Sequence, residues 1–247
     1  MTTLLFYKNI VALDRVQHKL LKIRPARNMK FAGDATVLPI VVGEFFEVAR
    51  QSPIAFLPLE DGSLLPVALV GLPGGKNLYL DDKGQWTAPY VPAYVRRYPF
   101  VFAETGPDQL TLCIDHDYEG FNEKEGVALF EEGGQPSALV QGALDMLSEY
   151  QRQNTLTQAF VNRLRTADVL IEANANASLS DGRSLSLQGL LVVDEKKFRA
   201  IADPTLKTWF ESGELGLIYA HLISLGNLLE LLRRQPDPVR GAKGLVH

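Results

Sequence analysis

Three prolines, Pro89, Pro92 and Pro99, punctuate the most aromatic stretch of the chain, WTAPYVPAYVRRYPFVF at positions 86–102. Each proline fixes its own φ near about −65° and removes a backbone donor. Each also pushes the residue before it (Ala88, Val91, Tyr98) toward extended geometry. One continuous helix or central strand is therefore excluded here. Positions 87–93 are expected to run extended. From Tyr98 the aromatic and β-branched residues predict a strand as far as Ala103. If the chain is also extended at 96–97, Arg96 and Arg97 point to opposite sides. Two readings follow. Trp86, Tyr90, Tyr94, Arg96, Arg97 and Tyr98 form a groove in which aromatic faces and a guanidinium hold an extended peptide or an anionic group. Alternatively, the stretch is a proline-pinned crossing whose tyrosines cover the core and whose arginines pair with local carboxylates.

The rest of the chain has room to bury such a crossing. At 247 residues, with 46% apolar and 22% charged side chains, it fits one large globular domain or two small ones. The net charge of −4 argues against a general nucleic-acid binder. The single cysteine, Cys113, excludes an internal disulfide and is expected to be a buried, inert thiol. No run of about 18 apolar residues predicts a membrane span. The N-terminal MTTLLFYKNI does not read as a secretory signal, so a cytoplasmic location is expected, with non-classical export left open.

Hydrophobic periodicity predicts an α+β fold. Residues 1–125 read as mainly antiparallel β with one helix over Pro39–Arg50; short strands fall within 4–13 and 18–24. Hairpins are expected around Glu60-Asp61-Gly62-Ser63 and Asp81-Asp82-Lys83-Gly84, and a strand over Gln109–Asp115 after a Gly106-Pro107 turn. Residues 126–240 read as helices around a further hairpin turning at Ser180–Ser184. A helix runs from a Ser137 cap to Arg152, with 155–164 as a second helix or its extension. Asp194-Glu195 starts another helix, Thr205–Glu211 a further one, and the leucine-covered 215–233 is the longest. The chain is taken as one domain over 1–240, with 1–125 and 126–240 as its sub-domains and 241–247 as a flexible tail.

Chemistry is sparser. Asp115-His116-Asp117 is the most enzyme-like cluster, and a metal-dependent enzyme would draw on His18, His116 or His221 with Asp115 or Asp117. On a strand, however, His116 faces away from both aspartates, and a solvated turn explains the run equally. Leu72-Pro73-Gly74-Gly75-Lys76-Asn77 lacks the spacing of a phosphate loop, and no dinucleotide fingerprint or GxSxG elbow is present. No metal or cofactor is implied.

Several segments together resemble the SapC family of bacterial proteins. They are PIVVGEFFEVARQSPIAF at 39–56, PVALVGLPGGKNLYLDDKGQW at 66–86, YVPAYVRRYPFVF at 90–102, GLLVVDEKKFRAI at 189–201 and GELGLIYAHLISLGNLLEL at 213–231. The resemblance spans nearly the whole chain and brings no catalytic residue with it. The family name derives in part from a protein linked to a bacterial surface layer. Members tend to be encoded beside halogenase-like and cupin-like proteins and outer-membrane receptors. The resemblance thus implies a non-catalytic accessory protein that handles a peptide, glycan or other surface molecule. A protein or peptide partner is expected, and self-association through the 215–233 helix is a further reading.

Overall fold

A computed structural model describes residues 4–106, 109–173, 176–178, 184–186 and 188–235. The strands are β1 (Ile10–Ala12), β2 (Lys22–Ile23), β3 (Val37–Pro39), β4 (Ile54–Pro58), β5 (Leu64–Leu69), β6 (Phe100–Gly106), β7 (Gln109–Asp115), β8 (Phe121–Asn122), β9 (Val127–Ala128), β10 (Leu170–Glu172), β11 (Asn176–Ser178), β12 (Ser184–Ser186) and β13 (Leu191–Val193). The helices are α1 (Phe45–Ala49), α2 (Ala93–Arg96), α3 (Ala138–Thr166), α4 (Glu195–Arg199), α5 (Asp203–Glu211), α6 (Glu214–Ser224) and α7 (Leu228–Arg234). The fold is α+β, with antiparallel sheets. The turn expected at Ser180–Ser184 lies outside the described residues up to position 183, as do Pro107 and the tail 241–247.

The largest sheet has the order β10-β13-β4-β5-β3. Its centre is the predicted hairpin, closed where Gly62 takes φ +78°, a conformation that costs glycine little. Leu191 of β13 pairs with Phe56 of β4, so the second half of the chain completes a sheet begun in the first. A second sheet, β1-β7-β6, carries the strand that follows Pro99. The short strands β8-β2-β9 form a third.

Two hydrophobic clusters result. The larger gathers Leu38, Phe45, Phe56, Tyr79, Phe160, Leu164, Ile218 and Leu231. The smaller holds Ile23, Phe100, Ile114, Leu129, Val140 and Leu147. One helix serves both: α3 is continuous for 29 residues, with Ser137 as its N-cap. Val140 and Leu147 enter the small cluster and Phe160, Val161 and Leu164 the large one. The 155–164 segment is thus the extension of the first helix.

Two expectations are corrected in detail. The helix expected over Pro39–Arg50 is shorter, because Val37–Pro39 pairs with β5 as a strand and a 3-10 turn precedes Phe45. The leucine-rich helix is not the longest. It breaks into α6 and α7 at a 3-10 turn over Leu225–Asn227, where glycine weakens the helix and the Asn227 amide donates to the carbonyl of Ala49 (2.8 Å). By length and composition alone, Glu214–Arg234 could cross a membrane, with a hydropathy of 1.6. In the fold its Ile218, His221 and Leu231 are buried to 0% exposure, within the core.

Candidate functional site

The proline-rich segment does not run extended throughout. Pro92, with extended ψ, leads directly into the single turn α2, and the peptide between Tyr98 and Pro99 is cis. The turn separates the two arginines: Arg96 is exposed and Arg97 is buried. A carboxylate from elsewhere in the chain caps this turn. Glu44, only 4% exposed, accepts from the Ala93 N–H (2.6 Å), the Val41 N–H (3.1 Å) and the Tyr90 hydroxyl (2.8 Å). Negative charge at a helix start is favourable. Burial raises the Glu44 pKa, while those three donors and Arg96 pull it back. Tyr90 in turn is pushed up to about 12, by burial first and by the Glu44 charge second.

Arg96 is held in place although it is exposed. Its Nε donates to the Val91 carbonyl (3.0 Å), a terminal nitrogen donates to the Tyr90 hydroxyl (3.2 Å), and the guanidinium lies 5.6 Å from the Tyr90 ring centre. Trp86, half-buried, stacks on Tyr79 at 5.6 Å and donates from Nε1 to the Tyr90 carbonyl (2.9 Å). Gln51 clamps the same residue, accepting from the Tyr90 N–H and donating to its carbonyl. Trp86, Tyr90 and Arg96 therefore form one connected edge.

Arg97 sits on the inner side, 8% exposed. Its guanidinium lies 4.1 Å from the Tyr94 ring centre, 4.8 Å from Tyr150 on α3 and 5.8 Å from Tyr7. Its Nε is buried with no hydrogen-bond partner, and among the described residues no carboxylate forms an ion pair with it. Burial raises the pKa of all three tyrosines, and the Arg97 charge opposes that rise in each.

Tyr98 belongs to a third constellation. Its ring stacks on Phe31 at 4.2 Å, and its hydroxyl donates to Asp115 (3.0 Å). Asp115 is fully buried and also accepts from the backbone N–H groups of Lys8 (3.1 Å), Asn9 (2.9 Å) and Asp117 (3.3 Å). The Lys8 and Asn9 bonds fasten one end of a strap, residues 5–9, across the site. The strap is held further by the Leu5 N–H on the Tyr94 hydroxyl (2.9 Å) and the Tyr7 hydroxyl on the Phe100 carbonyl (2.8 Å). Within it, Phe6 takes φ +60°, a backbone conformation that costs an aromatic residue about 1–3 kcal/mol. Its ring rests on Phe31, Tyr94 and Tyr98.

The family whose model matches residues 13–231 is SapC. The chain belongs to the SapC family. No curated protein and no solved structure matches it. The matched range of this SapC chain contains Glu44, Arg96, Arg97, Asp115 and Tyr150, whereas the strap that carries Tyr7 precedes it.

Among the described residues of this SapC protein the histidines do not converge with the aspartates. His18 and His116 have ring centres 6.2 Å apart, but His221 lies in the core against Phe56 and accepts from the Val193 N–H (3.0 Å). Among the described residues no three His, Cys, Asp or Glu side chains gather as metal ligands. Asp115 is a buried backbone anchor, not part of a solvated turn; His116 and Asp117 are exposed. Cys113 is buried, which raises its thiol pKa. Sequence reasoning missed Glu44, Tyr150 and Tyr7. An acid directly before Phe45-Phe46 inside PIVVGEFFEVA and a tyrosine three residues after Leu147 on the apolar stripe were the available signals.

Proposed function

We propose that this SapC protein is a non-catalytic accessory protein that binds a protein or peptide partner at the Trp86–Tyr98 segment. The accessible part of that surface is the edge formed by half-buried Trp86 and Tyr90 with exposed Arg96; Tyr94, Arg97 and Tyr98 form its inner wall. The observation that carries the reading is the pinned Arg96, an exposed cation already ordered over Tyr90 by two hydrogen bonds. A surface arginine left free loses rotamer entropy on binding, and pre-ordering removes part of that cost. Arginine beside tyrosine and tryptophan is also the composition enriched at binding hot spots. The gene neighbours that the family resemblance implies support a partner among surface-associated molecules.

The test is selection of a displayed peptide library against the whole protein. Selected peptides should lose at least about tenfold in affinity toward the Arg96→Ala protein, with the thermal midpoint unchanged. Equal affinity for both proteins would remove the segment as the binding surface.

Self-association is a second reading, favoured by one apolar patch. Phe46, Tyr219 and Ile223 are 58%, 51% and 71% exposed, and Phe46 packs beside Gly216 on the α6 face that carries the other two. Light scattering at high protein concentration decides it, and a strictly monomeric species would remove it.

A further inference from the structure

We propose that the Leu5–Asn9 strap is a lid over a carboxylate-binding site centred on the Arg97 guanidinium. The proposal rests on the segment's being a binding surface and adds the charge and position of the ligand group. Arginine presents five N–H donors in a rigid fork that matches a carboxylate edge. In this protein the fork is walled by the rings of Tyr94, Tyr150 and Tyr7, which supply aromatic faces but no negative charge. Its Nε stays unpartnered although the side chain is more than nine-tenths buried. A buried cation without a counter-charge is unfavourable, and a ligand carboxylate supplies the missing charge and acceptor together.

A singly charged carboxylate fits better than a phosphate dianion. Tyr150 feels both the Arg97 cation and the Glu44 carboxylate, so negative charge from the protein already bears on the same space. A second charge on the ligand would meet like-charge repulsion from Glu44.

The strap explains why Arg97 is covered. Tyr7 lies on one side of the guanidinium, and Leu5 occupies the Tyr94 hydroxyl. Lys8 and Asn9 are anchored to Asp115, so residues 5–7 can swing about a fixed point. The backbone of Phe6 is strained in the closed form, which favours release. Opening removes the Tyr7 ring and uncovers the Tyr94 hydroxyl, whose O–H is not used in accepting from Leu5 and donates to the incoming carboxylate.

The experiment is titration of the full chain with acetate and, separately, inorganic phosphate at ionic strength matched with sodium chloride. NMR of the Arg97 side-chain N–H and of the Tyr94 and Tyr150 rings reports binding. Acetate should shift these signals saturably and phosphate more weakly. Tyr7→Ala, which removes the lid's ring, should tighten acetate binding about tenfold. Arg97→Gln should abolish the ring shifts; if that protein does not fold, Arg97→Lys, which lacks the fork, should weaken binding at least about tenfold. No saturable acetate shift in the unaltered or Tyr7→Ala protein overturns the site. Ring shifts that survive in the Arg97 variants do the same. Phosphate binding more tightly than acetate overturns the carboxylate assignment, and unchanged affinity in Tyr7→Ala overturns the lid. Library peptides that still depend on Arg96 while acetate fails would leave the binding surface standing without this inference.

Discussion

Asp115 and Arg97 are both buried charges within the same aromatic neighbourhood, and the fold treats them in opposite ways. Asp115 collects three backbone N–H groups and the Tyr98 hydroxyl. Arg97 is surrounded by three aromatic rings, and its Nε bonds to nothing. A satisfied buried charge ties chain segments together, whereas an unsatisfied one leaves binding capacity in reserve. The difference separates scaffold from candidate site more sharply than residue type does, since both lie beside tyrosines.

The sharpest way to break this contrast is Asp115→Ala. It strands four donors at once and should cost about 3–4 kcal/mol by urea denaturation. A loss below about 1 kcal/mol would remove Asp115 from the scaffold. Next comes His221, a buried neutral group whose Nε2 is bonded and whose Nδ1 is not. Burial lowers its pKa to about 4, from an ordinary value of 6.5, with the backbone of Ile54 opposing. As pH falls through about 6.5 the unfolded chain takes up a proton that the folded chain refuses until about 4. Stability is therefore fully present above that window and declines through it, by about 3 kcal/mol in all. Denaturant midpoints across this pH range should show the decline, and His221→Leu should flatten it.

Asp194 offers the half-buried counterpart of Asp115, since it too accepts backbone N–H groups, from Lys196 (2.7 Å) and Lys197 (3.3 Å) at the start of α4. Asp194→Ala should cost about 1 kcal/mol in thermal unfolding, the usual value for a lost cap. A cost equal to that of Asp115→Ala would show that burial is not what gives the carboxylate its weight. The smallest effect belongs to Arg97→Met. Replacing an unpaired buried charge by an apolar side chain should change stability by less than about 1 kcal/mol, in either direction. A loss above about 3 kcal/mol would make Arg97 a structural residue.

The part of this contrast legible in the sequence is the local part. The Glu60–Ser63 turn, the Gln109–Asp115 strand, the Ser137 cap and the helix starting after Asp194 all carry their signals within a few residues, and each stands in the structure. The segment 86–102 was visible as dense and proline-bound. Its consequences were not, because they depend on partners far away in the chain. Glu44 reaches Ala93 across 49 positions and Asn9 reaches Asp115 across 106. Periodicity reports which face of an element is apolar, not which distant carboxylate will lie against it. The α2 turn escaped for a related reason: Pro92 reads as a breaker, yet proline is well tolerated where a helix begins. The break between α6 and α7 likewise depends on Asn227 finding Ala49.

The placement of β13 beside β4 has a consequence for the order in which the molecule can be made. Ile54–Pro58 is synthesised early, but its neighbour Leu191–Val193 is synthesised late, and the Ser224 hydroxyl that receives the Ile54 N–H is later still. On the ribosome the β4–β5 hairpin must wait with one edge bare for about half the length of the chain. An unpaired apolar edge recruits other strands, and contacts between distant positions form slowly. Release from the ribosome, and the chaperones that meet the nascent chain, therefore bear on the yield of folded protein as much as any single contact in the finished core.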